Sequence, residues 1–248
     1  MIQDPTLLAE TLDAEFAALS PLGRLHSLRD KVKGRIVFTT SLGLEDQMLT
    51  HLIFANNIKI EVVTLDTGRL FPETYDVWRA TEEKYGKRIH AKYAKSEALE
   101  NLIEEQGIDG FYYAKEFRLN CCGVRKIEPL GRALDGAAAW VTGLRGDQSS
   151  NRVAMPFASY EPQKKLIKAN PLLDLSRERI AHFNDDHGVP INALHAKGFL
   201  SIGCAPCTRA IQPGEPERAG RWWWEDDTKR ECGLHVPDRS VVSGGMGI

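Results

Sequence analysis

The chain has five cysteines, and four of them fall into two pairs, Cys121-Cys122 and Cys204-Ala205-Pro206-Cys207. Four thiols suit a tetrahedral metal or a cubane iron–sulfur cluster. Adjacent side chains diverge in regular structure, so the Cys121-Cys122 pair serves a bulky centre with separate metal atoms more readily than one zinc, whose sulfurs must lie about 2.3 Å from a single atom. This favours [4Fe-4S] over zinc. Four unrelated buried thiols, or a CxxC redox dithiol, are the alternatives. The fifth, Cys232, stands in Lys229-Arg230-Glu231-Cys232-Gly233-Leu234-His235. There Lys229, Arg230 and His235 favour a thiolate and Glu231 opposes it. Cys232 is a candidate nucleophile, with an inert tail cysteine as the plain alternative.

Cationic candidates accompany the thiols. If Cys121 to Leu134 is helical, Lys126 lies one turn beyond Cys122 on the same face, so a metal centre and an anion site could share a wall. Arg218 and Arg221 face together if locally helical and can grip phosphate or sulfate oxygens bidentately. Taken singly, each is an ordinary solvated charge. The turn Ser41-Leu42-Gly43-Leu44-Glu45-Asp46 can present backbone N–H groups to an anion or nucleotide. It lacks the Gly-Lys-Ser/Thr ending of a Walker loop and the three-glycine dinucleotide fingerprint, which counts against ATPase and NAD-dependent chemistry. Asp66 and Arg69 read as a helix cap and a surface pair. His26, His51, His90, His182, His187 and His195 show no metal-ligand spacing.

The elements that must position these groups alternate. Leu8, Leu12, Phe16 and Leu19 recur at helical spacing behind Asp4-Pro5. Strands are expected at 35–40, 59–65, 88–93 and 138–142, and another at 165–168. Helices are expected at 45–55, about 72–85, 96–106 and 176–187. Short connections between alternating strands and helices imply a parallel sheet covered on both faces, with ligands beyond the carboxyl ends of the strands. The loops around Ser41, Asp66 and Gly143 would then share one rim. Residues 1–207 read as a single α/β nucleotide-binding domain. From Thr208 the composition turns to Gly, Pro and charge, and residues 208–248 read as a mobile C-terminal segment carrying Cys232.

With 32 Lys+Arg against 34 Asp+Glu, a broad nucleic-acid surface is not expected, though a focal anion pocket is compatible. No apolar run of about 18 residues appears, so no membrane span is expected. The amino terminus lacks a secretory pattern, and the expected compartment is the cytoplasm, where a disulfide framework does not persist.

Taken together, Thr40-Ser41-Leu42-Gly43-Leu44-Glu45-Asp46, Leu65-Asp66-Thr67-Gly68-Arg69, Cys121-Cys122-Gly123-Val124-Arg125-Lys126, Gly143-Leu144-Arg145-Gly146-Asp147-Gln148, Cys204-Ala205-Pro206-Cys207 and Glu231-Cys232-Gly233-Leu234-His235 resemble the iron–sulfur branch of the assimilatory adenylyl-sulfate and phosphoadenylyl-sulfate reductases. The resemblance implies a Rossmann-like parallel sheet with flanking helices, of the adenine-nucleotide alpha-hydrolase type. It implies that Cys121, Cys122, Cys204 and Cys207 hold a [4Fe-4S] cluster and that Cys232 is the nucleophile. Thr40, Ser41, Leu65 and Gly143 would surround the adenosine, and Lys126, Arg218, Arg221 and His235 the phosphosulfate. Leu42 stands where the family often has a small residue, leaving backbone contacts there. The implied reaction converts adenylyl sulfate (APS) to sulfite and AMP through an S-sulfocysteine, with thioredoxin or a glutaredoxin as reductant and a homo-oligomer as the assembly. Reduction of the 3′-phosphorylated substrate (PAPS), or of both, is the alternative; an adenylating tRNA thiolase or a zinc-binding module are remoter ones.

Overall fold

Residues 4–148, 152 and 155–225 are described by the structure, a computed structural model. Six strands form one sheet in the order β3-β2-β1-β4-β6-β5. They are β1 (Arg35–Thr40), β2 (Glu61–Asp66), β3 (His90–Tyr93), β4 (Ala137–Val141), β5 (Ala158–Glu161) and β6 (Leu166–Ala169). Every pairing is parallel except β5 with β6. The sheet is therefore mixed rather than wholly parallel. The reversed edge strand escaped the sequence because Ala158-Ser159-Tyr160-Glu161 offers no apolar run. It is joined to β6 by a tight turn in which Lys165 takes a φ of 53°. One backbone donor of β5, Ala158 N, bonds Asp13 Oδ1 on the first helix at 3.2 Å.

Eight α-helices flank the sheet among the described residues: α1 (Pro5–Phe16), α2 (Pro21–Lys31), α3 (Leu44–Ala55), α4 (Pro72–Tyr85), α5 (Ser96–Gln106), α6 (Lys115–Cys122), α7 (Glu128–Leu134) and α8 (Arg177–Asp186). Local caps account for several ends. Asp4 accepts from Thr6 N ahead of Pro5, Ser176 accepts from Arg179 N, and α4 stops at Gly86 in the left-handed region. Helix α2, capped by Ser20 and begun by Pro21, was not anticipated.

Alternation along the strands sorts the core into two layers. Ile36 and Phe38 of β1, Val62 of β2 and Ala139 and Val141 of β4 pack with Leu12, Phe16, Leu28, Leu49 and Ile180 from the helices on one face. Val37, Val63 and Trp140 pack with Leu130, Ala133 and Leu134 of α7 on the other. Each such large apolar side chain, once buried, contributes about 1.5–3 kcal/mol. Strand order reverses between β1 and β4, and the crevice beyond their carboxyl ends is where α/β sheets of this kind bind ligands.

Between α6 and α7 the helix does not break but widens into a π turn, Gly123–Ile127, in which Glu128 N bonds Gly123 O. Pro129 supplies the reason. It has no N–H to donate and its ring would collide with the carbonyl four residues back, so the preceding turn opens. The even α-helical stacking expected for Cys122 and Lys126 is thereby replaced by a wider register.

Residues 208–225 are packed against the domain, so looseness does not begin at Thr208. Thr208 bridges to Arg221, Arg209 N bonds Gly220 O at 2.9 Å, and Trp222 N bonds Cys207 O at 3.2 Å. The Trp222 ring is buried, with the guanidinium carbons of Arg118 and Arg221 at 4.6 and 4.8 Å from its centroid.

Candidate active site

A cavity of about 200 Å³ opens beyond the carboxyl ends of β1, β2 and β4. Thr40 and Ser41 reach it from the end of β1, Leu65 from β2, Gly143 from the loop after β4, and Lys126 from the π turn, while Arg218 and Arg221 come from the turn that follows Pro216. The seven come from five separate segments, which no local signal could have assembled. Cys232 and His235 lie outside the described residues.

The floor of the cavity is fixed by Asp46 in the first turn of α3. Its Oδ2 accepts from Ser41 N at 2.6 Å and Ser41 Oγ at 2.7 Å. The Ser41 N–H therefore faces a carboxylate of its own chain. Burial raises the Asp46 carboxyl to about 6 against the pull of the Ser41 bonds, and the neighbouring Glu45 carboxylate pushes the same way. Leu42 is buried with a φ of 60°, its N–H bonding Thr40 Oγ1 at 3.0 Å. Its side chain does not line the cavity. Gly143 passes so close to Asp46 that a Cβ there would lie 2.0 Å from Oδ1. Gly203 makes the same allowance for Arg221, whose Nη2 lies 2.2 Å from the position a Cβ would take.

Asp66 and Arg69 do not pair with each other. Asp66 Oδ1 accepts from Gly68 N at 2.8 Å and from Tyr75 Oη at 2.9 Å, whereas Arg69 turns to Asp109 at 3.3 Å. Their loop instead builds a second, smaller cavity against the first. Cys121, Cys122, Cys204 and Cys207 all line it, together with Arg69, Arg118, Arg125, Lys126 and Trp222. Lys126 and Trp222 line both cavities, which therefore share a wall. Ala205 N bonds Arg69 O at 2.7 Å, which seats the Cys204-Ala205-Pro206-Cys207 turn on the β2 loop.

The thiols feel opposing forces. Burial pushes Cys207 up to about 12, helped by the neighbouring Cys204 sulfur, and burial likewise raises Cys121. For Cys204 burial also acts upward, but Lys126, the Thr67 hydroxyl at 3.3 Å, Arg221 and Arg125 outweigh it and leave that thiol below its ordinary value. Buried nitrogens of two arginines here, Arg118 Nη1 and Arg125 Nε, have no hydrogen-bond partner among the described residues. Four sulfur donors ringed by cations fit an anionic metal–sulfur group better than four neutral thiols. Among the described residues, no three His, Cys, Asp or Glu side chains are arranged as ligands of a single metal ion, the four thiols included.

Several cavity residues carried no role in the sequence reading. Arg152, Trp140, Glu45, Asp46, Glu217 and His195 all line it. His195 had been set aside for want of ligand spacing. Its Nδ1 lies 2.8 Å from Phe199 O, and its Nε2 is buried with no partner among the described residues. Burial lowers its pKa, which favours the neutral ring; with Nδ1–H donating to the Phe199 carbonyl, Nε2 is then an acceptor. No periodicity marks such a residue, because it sits in a short 3-10 turn, Ala193–Lys197, followed by an irregular loop.

The order of strands and the crevice beyond their carboxyl ends define an α/β protein with a cavity lined by loop-borne cations and, against it, a smaller one lined by four thiols. Residues 35–210 match the family model of the phosphoadenosine phosphosulfate reductase domain. The chain belongs to that family, whose members are oxidoreductases. It is 52% identical over 226 residues to the adenosine 5'-phosphosulfate reductase of Agrobacterium fabrum, covering 91% of this chain and 86% of that one. The enzyme of the same name from Allochromatium vinosum is 46% identical over 234 residues, 94% of this chain and 90% of that one. The crystal structure of phosphoadenylyl-sulfate reductase from Candida auris shares the fold, with a TM-score of 0.69 at 24% identity over 82% of this chain and 96% of that one.

Proposed function

We propose that the chain reduces adenylyl sulfate to sulfite and AMP in assimilatory sulfate reduction. The observation that carries this is the meeting of Thr40, Ser41, Leu65, Gly143, Lys126, Arg218 and Arg221 around one cavity, on a chain about half identical to reductases of that substrate. The adenosine lies toward Thr40, Ser41, Leu65 and Gly143, and the phosphosulfate toward Lys126, Arg218 and Arg221, with His235 joining them.

The Cys232 thiolate attacks the sulfate sulfur, forming an S–S bond as the S–O bond to phosphate breaks, and AMP leaves with the electron pair. An anion thus approaches an anion. Lys126, Arg218 and Arg221 offset the repulsion and stabilise the charge gathering on the leaving phosphate. A thiolate of an external dithiol, thioredoxin or glutaredoxin, then attacks the Cys232 sulfur and expels sulfite. Its second thiol resolves the mixed disulfide and returns Cys232 as thiolate.

Cys121, Cys122, Cys204 and Cys207 are the residues that would hold a [4Fe-4S] cluster, which when bound supplies a fixed charge and a rigid cross-link beside Lys126. The ring of cations around the four sulfurs supports that reading. Of the C-terminal segment, residues 208–248, the part up to residue 225 packs on the domain of residues 1–207 and brings Arg218 and Arg221, and the part beyond it brings Cys232. A cytoplasmic homo-oligomer completes the proposal; among the described residues no helix is long and apolar enough to cross a membrane.

The experiment is to incubate oxygen-protected protein with sulfur-labelled adenylyl sulfate in the absence of reductant. Label stays on the wild-type chain and is absent from Cys232→Ser. Label retained by that variant refutes the assignment, and colourless protein without iron refutes the cluster.

A further inference from the structure

Arg218 and Arg221 sit on a turn that belongs to no helix or strand. It is closed by bonds from Ala219 N to Pro216 O at 2.9 Å and from Arg221 N to Arg218 O at 3.0 Å. Glu217 fastens that turn to the domain. Both its carboxylate oxygens accept from Arg145 Nη2, at 2.9 and 2.7 Å, and Oε1 lies 3.5 Å from Arg177 Nη1. Arg145 is fully buried and is held on its other sides too: Nε donates to Glu45 Oε1 at 2.8 Å, and Nη1 pairs with Asp147. One guanidinium therefore joins the first turn of α3, the loop after β4 and the Arg218 turn, three parts of the same cavity wall.

A carboxylate beside an anion's cavity is unfavourable on charge alone, because it repels the ligand. Arg145 is not an alternative anion grip, since each of its three nitrogens already donates to a carboxylate. We infer that Glu217 is a positioning residue: clamped by Arg145 and Arg177, it presets Arg218 and Arg221 against the charged end of the nucleotide. This rests on the reading of the cavity as an adenylyl-sulfate site. Charge repulsion and positioning predict opposite signs for its removal, which makes the inference testable.

AMP and adenosine are titrated by calorimetry into the full-length, oxygen-protected wild type, Glu217→Gln and Arg218→Ala. The wild type prefers AMP, and Arg218→Ala loses that preference. Glu217→Gln, of equal size, loses about tenfold in AMP affinity, the cost of ordering long arginine side chains on binding, while adenosine stays within about twofold. Equal or tighter AMP binding by Glu217→Gln overturns the inference, as does an equal loss for both ligands. If the wild type shows no preference for AMP, the cavity reading itself fails; a preference that Arg218→Ala removes and Glu217→Gln retains overturns positioning alone. Should Glu217→Gln not fold, Arg177→Gln removes the second clamp and must show the same selective loss in weaker form. AMP binding by Arg177→Gln at wild-type affinity then overturns the inference.

Discussion

The contact between Gly143 and Asp46 makes a quantitative prediction for Gly143→Ala. The added methyl would stand 2.0 Å from Asp46 Oδ1 and 3.2 Å from its Cγ. Such an overlap forces the carboxylate to turn away, and with it go the bonds at 2.6 and 2.7 Å that fix Ser41. Overpacking a tight site costs about 1–3 kcal/mol, and a lost hydrogen bond to a charged acceptor about 1.5–3 kcal/mol. Because the carboxylate relaxes in one movement, these overlap, and a net loss of about 3 kcal/mol is expected. For a domain of this size that lowers Tm by roughly 6–12 °C. AMP binding should weaken as well, since Ser41 is displaced at the cavity edge. The decisive assay is a double-mutant cycle followed by thermal or denaturant unfolding. In an Asp46→Ala background the nearest atom to the new methyl becomes residue 46 N at 3.4 Å, an ordinary contact. There Gly143→Ala should cost less than about 1 kcal/mol. An equal cost in both backgrounds would refute the reasoning, because the damage would then not pass through the carboxylate.

Three further outcomes follow from named contacts. The Asp46 carboxyl, normally at 3.8, is raised to about 6 by burial, so the folded state holds its proton more tightly than the unfolded chain. Its ionisation therefore removes stability as pH rises from about 4 to about 6, by roughly 3 kcal/mol in all. Asp46→Asn should gain on the wild type across that window in unfolding titrations, and a pH-independent difference would contradict it. Arg24 is buried, its guanidinium bonding both oxygens of Asp174 at 2.6 and 2.8 Å and Phe16 O and Pro171 O at 2.7 Å. Arg24→Ala should cost about 3–5 kcal/mol in urea denaturation by leaving those acceptors unpaired. Trp222→Ala, which empties the space between two guanidinium groups, should cost about 3–5 kcal/mol in urea denaturation; a variant of unchanged stability would show the Trp222 wall between the two cavities to be dispensable.

Elements bounded by local chemistry were legible in the sequence. The expected spans for α4 and α5 coincide with Pro72–Tyr85 and Ser96–Gln106 because a proline start, a glycine stop and apolar spacing all act within a few residues. The π turn was not foreseen, although Pro129, inside the run treated as one helix, carries the signal. The site divides in the same way. Thr40, Ser41, Leu65, Lys126 and Gly143, which stand in recognisable motifs, line one cavity, whereas the contact of Arg145 with Glu217 was invisible because the two lie 72 residues apart along the chain. His195 went unassigned because its ring contacts, the Phe199 carbonyl four residues on and Arg177 eighteen back, follow no metal-ligand spacing.

The reversed strand at one margin of the sheet also bears on how copies of the chain can associate. An unpaired strand margin is a template for intermolecular pairing. On the β5 side that template is spoiled, since Asp13 of α1 already takes one of its amide hydrogens. The opposite margin, β3, has four residues, and the Tyr93 carbonyl is engaged by Arg132. Neither border invites a continuous intersubunit sheet, so any association of copies should proceed through helical or loop surfaces.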